Sequence, residues 1–70
     1  MNNYKVFMKT YRGLVVYEVE AKNQKMAVSI TREVFNEHGV PCSLKEVRKA
    51  FKHESFSSGH CFPPFANLTK

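Results

Sequence analysis

The sequence lacks tryptophan, carries only two cysteines, Cys42 and Cys61, and has three glycines and three prolines in 70 residues. So few cysteines exclude a dense disulfide framework, and with no secretion signal the reading is two reduced thiols. The scarcity of glycine and proline excludes a low-complexity linker or collagen-like chain. No run approaches the ~18 apolar residues of a membrane span. The N-terminal MNNYK does not open a basic region followed by an apolar core, so neither a membrane segment nor a signal peptide is expected and the cytoplasm is the expected location. Acid is also in short supply, with six Asp and Glu against eleven Lys and Arg, a formal net charge of +5. That balance favours approach to nucleic acid, an anionic membrane or an acidic protein surface and fits poorly with acidic mimicry of DNA.

What is present is a globular composition, 43% hydrophobic and 24% charged, which argues against wholesale disorder. Seventy residues make a single domain. A core of that size rarely supplies more than ~3–5 kcal/mol of net stability. Residues 4–21 read as a β-hairpin with Arg12 and Gly13 at the tip. That tip pairs Tyr4 with Ala21, Val6 with Val19, Met8 with Tyr17 and Thr10 with Val15 on one side. The other side carries Lys5 with Glu20, Phe7 with Glu18, Lys9 with Val16 and Tyr11 with Leu14. A tight primed turn would ask Arg12 for positive φ, so a wider loop around Gly13 is expected.

Asn23 stands as an N-cap. Ala27, Ile30, Thr31, Val34, Phe35 and His38 then recur at helical spacing, and Gly39 and Pro41 stop the run, which predicts a helix over 24–38. The helix lays Ile30, Val34 and Phe35 on the Val6, Met8, Tyr17 and Val19 side of the hairpin.

The segment 43–52 supports two readings. Ser43 and Glu46 form a capping box with a basic face of Lys45, Arg48, Lys49 and Lys52. Alternatively Val47, Lys49 and Phe51 alternate as a third strand beside the first, covering a bare edge. The strand is preferred, giving an α+β fold in the order ββαβ, with ββαα as the alternative. Residues 1–55 are read as the domain and 56–70 as an extended C-terminal tail. Because that tail carries Phe56, Phe62 and Phe65, it is expected to dock.

Phe7, Tyr11, Leu14 and Val16 fall on the side of the hairpin away from the helix, fringed by Lys5, Lys9 and Arg12. They leave three readings open: a face covered by the tail phenylalanines, a binding face, or a self-association surface that makes a homodimer. The candidate binding residues are Phe7, Lys9, Tyr11 and Arg12, with Arg48, Lys49 and Lys52 as electrostatic support. Cys42, His53, His60 and Cys61 have the chemistry of zinc ligands but not the paired spacing of a zinc site, so no metal is expected. His60 next to Cys61 lacks a third, orienting group, so neither catalysis nor a cofactor is expected.

A lysine-bearing hairpin ending in VYEVEAKN and running directly into MAVSITREVF resembles the ββα layout of small bacteriophage and mobile-element proteins, some anti-CRISPR inhibitors among them. The resemblance covers about two thirds of the chain and transfers no site residues. It implies a non-catalytic protein that binds a larger protein or complex, as an inhibitor or regulator of a host assembly. A small basic nucleic-acid-binding domain is the alternative.

Overall fold

The computed structural model describes residues 2–50, 60–62 and 64–68. Strand β1 (Asn2–Thr10) and strand β2 (Gly13–Ala21) form an antiparallel hairpin, and helix α1 (Gln24–Glu37) follows. Strand β3 (Ser43–Lys49) then returns antiparallel to β1, and a short strand β4 (His60–Phe62) pairs with β2. The sheet order is β3-β1-β2-β4, with a single 3-10 turn at Phe65–Asn67. This is the α+β fold in ββαβ order, extended at one edge by β4.

The hairpin register differs from the sequence reading by two residues. Tyr4 pairs with Val19, Val6 with Tyr17, Met8 with Val15 and Thr10 with Gly13. The cause is the turn. Tyr11 and Arg12 alone span it at negative φ, and Gly13 takes the one strained position at φ +109°. The Thr10 hydroxyl accepts from the Arg12 N–H at 3.2 Å and donates to the Gly13 carbonyl at 3.0 Å, closing the turn from inside. Glycine thus stands just after a two-residue turn rather than within it, and the wider loop around Gly13 expected from the sequence does not form. Side chains alternate with a period of two, so this shift leaves every residue on the face expected for it.

The Asn23 side chain accepts from the Met26 N–H at 2.8 Å and starts α1. The helix ends at Glu37 with His38 as its cap, one residue earlier than expected. Gly39, at φ +69°, donates to the Asn36 carbonyl, and Val40 donates to the Phe35 carbonyl at 2.9 Å. This pair of bonds satisfies two terminal carbonyls and turns Val40 into the core. Ala27, Thr31 and Phe35 are the fully buried stripe, and the Thr31 hydroxyl donates to the Ala27 carbonyl at 2.7 Å, so its burial leaves no donor unpaired.

The core lies between α1 and one side of the sheet: Tyr4, Val6, Met8, Val15, Tyr17, Val19 and Ala21 from the hairpin meet Ala27, Phe35 and Val40. Phe35 sits edge-on to Tyr17 at 6.0 Å and to Phe65 at 5.0 Å between ring centres. Leu68 and Cys61 are buried in the same layer.

The tail adds an element and corrects one of the readings of the open face. Residues 60–62 form a strand, because β2 offers an unpaired edge beside them. Phe65 does not cover the outer sheet face. It packs on the helix side against Tyr17 and Phe35, with its ring stacked 4.0 Å from that of His38. Phe56 lies outside the described residues.

Candidate open-face interaction site

The side of the sheet away from α1 is built from the alternate residues of the same strands, in cross-strand rows. One row aligns Arg48, Lys5 and Glu18, with His60 at the next register position; the next aligns Glu46, Phe7 and Val16, with Phe62 at the β4 position. Beyond them Ser43, Lys9 and Leu14 form a third row toward the turn. An apolar centre, Phe7 and Val16, is thus set between rows that carry charge, and both side chains remain half-buried. Leu14 is 49% exposed and Tyr11, in the turn, 55% exposed, which continues the apolar surface to the hairpin tip.

The strand fate of 43–49 decides the electrostatics. Consecutive strand residues point to opposite faces, so Arg48 lies on the open face while Lys49, opposite Tyr4, belongs to the helix side. The basic stripe that a helix would have displayed is therefore split. Arg48 is also engaged within the fold: its Nε donates to the Glu46 carboxylate at 2.5 Å, and its guanidinium lies 5.4 Å from the Phe7 ring centre. The hydrogen bond to Glu46 and the carboxylate's charge push the Arg48 pKa up. At the tip, the Arg12 guanidinium lies 5.5 Å from the Tyr11 ring centre.

The open strand face carries Lys5, Lys9 and Arg48 against Glu18, Glu20 and Glu46, so its charges balance although the chain as a whole is basic. Of the residues singled out from the sequence, Phe7, Lys9 and Arg48 share this face. Tyr11 and Arg12 occupy its turn end, Lys49 sits on the opposite face, and Lys52 lies outside the described residues. Sequence reasoning missed Glu46 as the partner that neutralises Arg48. The alternation of KEVRK, read as a strand, places the two on one face.

The remaining reactive groups are held back. Cys61 is buried in the core and burial pushes its thiol pKa up to about 11, so it keeps its proton at neutral pH and is a poor nucleophile and ligand. Burial raises the Cys42 thiol as well, opposed by the positive charge of Arg32. Among the described residues no group of three or more His, Cys, Asp or Glu is placed to hold a metal ion, and His53 falls outside them. No helix among the described residues is long and apolar enough to cross a membrane.

Comparison with known protein families, curated proteins and solved structures finds no match to the chain.

Proposed function

We propose that this protein is a non-catalytic interaction module of the cytoplasm whose open sheet face and hairpin tip bind a surface of a larger protein, in the manner of a small inhibitor or regulator of a host complex. One observation carries the reading: a sheet face with an apolar centre of Phe7, Val16 and Leu14 is left uncovered by the described residues, and the charges at its paired strand positions cancel, with Arg12 at the tip and Lys45 at the bulge outside that sum. An uncovered apolar patch rimmed by polar groups marks a contact surface. Balanced charge at such a patch fits a mixed protein surface better than the uniformly anionic backbone of nucleic acid. Phe7, Tyr11 and Leu14 supply the anchors, and Lys9 and Arg12 supply steering charge at the tip.

The net charge of +5 favours the nucleic-acid alternative, and one experiment separates the two. The tagged chain is used to capture partners from a candidate host lysate with and without nuclease, alongside a Phe7→Ser/Leu14→Ser variant. The proposal expects capture that survives nuclease and disappears in the variant. Capture lost on nuclease treatment supports the nucleic-acid reading instead, and equal capture by the variant removes the open face from the interface.

A further inference from the structure

β3 is an outer strand of the sheet: its inner side pairs with β1, and among the described residues no strand pairs with its outer side. Seven residues at ~3.3 Å each give an edge of roughly 23 Å. The opposite edge, β4, has only three residues and offers far less. An exposed edge is a template for another strand, and proteins block unwanted pairing there with lysines and bulges. β3 has both. Phe7 pairs with Glu46 and Met8 with Leu44, which leaves Lys45 as the extra residue of a bulge. Along the edge stand Lys45, Arg48 and Lys49 against one carboxylate, Glu46, which is already bonded to Arg48.

That charge excludes one occupant and selects another. A second copy of this chain brings an edge of the same sign, Lys45, Arg48 and Lys49 against one glutamate, so the two edges as a whole repel. A segment with Asp and Glu at alternate positions sets them beside Arg48 on the open side, with Lys45 at the bulge nearby. The apolar layer under α1 also ends unfinished at this edge. Leu44 is 38% exposed, and Val47 and Cys42 are only half-buried. An open cleft of about 480 Å³, lined by Arg32, Glu33, Asn36, Val40, Pro41 and Cys42, lies at the start of β3. A further strand would point every second side chain toward this layer.

We propose that the outer edge of β3 takes up an extended segment of a partner protein, alternating aliphatic and acidic residues, as an added strand of the sheet. Backbone hydrogen bonds supply the register, Leu44 and Val47 receive the aliphatic side chains on the helix side, and Arg48 on the open side, with Lys45 at the bulge, selects the acidic ones. This surface is distinct from the open face, and its occupation does not require that face to be bound.

The test is a titration of the full chain with a short synthetic peptide of alternating Val and Glu, followed by backbone amide chemical shifts. Alongside it run a Val and Lys peptide and two Val and Glu peptides N-methylated on alternate residues, one set for each parity. The expected result is binding centred on 43–49, weakened by salt and lowered ~10-fold by Lys45→Glu/Arg48→Glu. One N-methylated peptide should bind and the other should not, since only every second amide of an added strand faces its neighbour. Equal binding of the Val and Lys peptide, equal behaviour of the two N-methylated peptides, or no binding at millimolar peptide overturns the proposal. Outward amides of β3 that are already slow to exchange in the free protein overturn it too. Should the double charge variant not fold, the N-methylated pair on the unaltered chain still decides. Leu14→Ser, on β2 away from this edge, should leave peptide binding unchanged, so failure here and failure of the open-face reading are separate results.

Discussion

The two sides of this sheet are made from the same strands, residue by alternate residue, yet they have different fates. On the helix side Val6, Met8, Val15 and Ala21 are sealed under α1, with Phe35 at the centre. On the other side Phe7 and Val16, neighbours of those residues in sequence, remain half-buried and Leu14 stands in solvent. The helix side closes because α1, Val40 and Leu68, just after the 3-10 turn, add buried apolar residues to it. No described element does this for the open side. Stability in so small a domain therefore resides on one face, which leaves the other free to carry a contact surface.

The strongest way to test that division is Phe35→Ala. Phe35 is fully buried and touches rings from β2 and from the C-terminal turn, so its truncation should cost ~3–5 kcal/mol. That is comparable to the whole stability of a domain this size, so far-UV circular dichroism at room temperature should report a largely unfolded chain. A folded variant with a small loss in urea would place the core elsewhere. Leu68→Ala asks whether the C-terminal turn belongs to the helix side. Leu68 is 1% exposed, and a loss of ~2–4 kcal/mol is expected by urea denaturation. Under ~0.5 kcal/mol, Leu68 would not be a core residue.

Alkaline pH probes the same layer through Cys61. The unfolded thiol releases its proton near 9.0 and the folded one near 11. Between those values the unfolded chain therefore binds fewer protons than the folded one. Stability is full below pH 9 and falls as pH rises toward 11, by on the order of 1–3 kcal/mol. Tyr17, raised by burial and by the charge of Cys61, adds to the fall at the upper end. Urea midpoints measured across this range should flatten in Cys61→Ala, and an unchanged slope would show that the thiol does not titrate with unfolding. The smallest effect belongs to the open face: Phe7→Ala should cost about 1 kcal/mol or less, from lost strand packing and the Arg48 contact. A loss equal to that of Leu68→Ala would mean that something covers Phe7.

Much of this arrangement is legible in the residues. The alternation of the hairpin assigns each side chain to its face whichever even register is chosen. Asn23 marks the start of the helix through its side-chain oxygen and Gly39 the end through its positive φ. The register itself is not legible, because it depends on whether Gly13 lies within the turn or just after it, a choice fixed by the Thr10 hydroxyl. Residues 43–49 are locally compatible with a helix, and the free edge of β1, contributed by residues far away in sequence, decides for the strand. The destination of Phe65 is illegible for the same reason. Both sides of the sheet offer apolar surface, and the ring of His38, at the end of α1, is what it stacks on. At the candidate site the apolar anchors follow from the pattern. The cancellation of charge does not, since it requires Glu46 and Arg48 to share a strand face.

β1 comes first in the chain and yet lies inside the sheet, and this orders events in time. Its partner β2 follows after a two-residue turn, but its partner β3 is joined to it only when Tyr4 meets Lys49. Closing that long loop is the slow, entropically demanding step, so the hairpin should gather with α1 first and β3 should lock on later. While the chain is being made, the first strand waits with one side bare until residues 43–49 have emerged. Pulse-labelled hydrogen exchange during refolding should show β1–β2 amides protected ahead of β1–β3 amides, and simultaneous protection would mean that the whole sheet condenses at once.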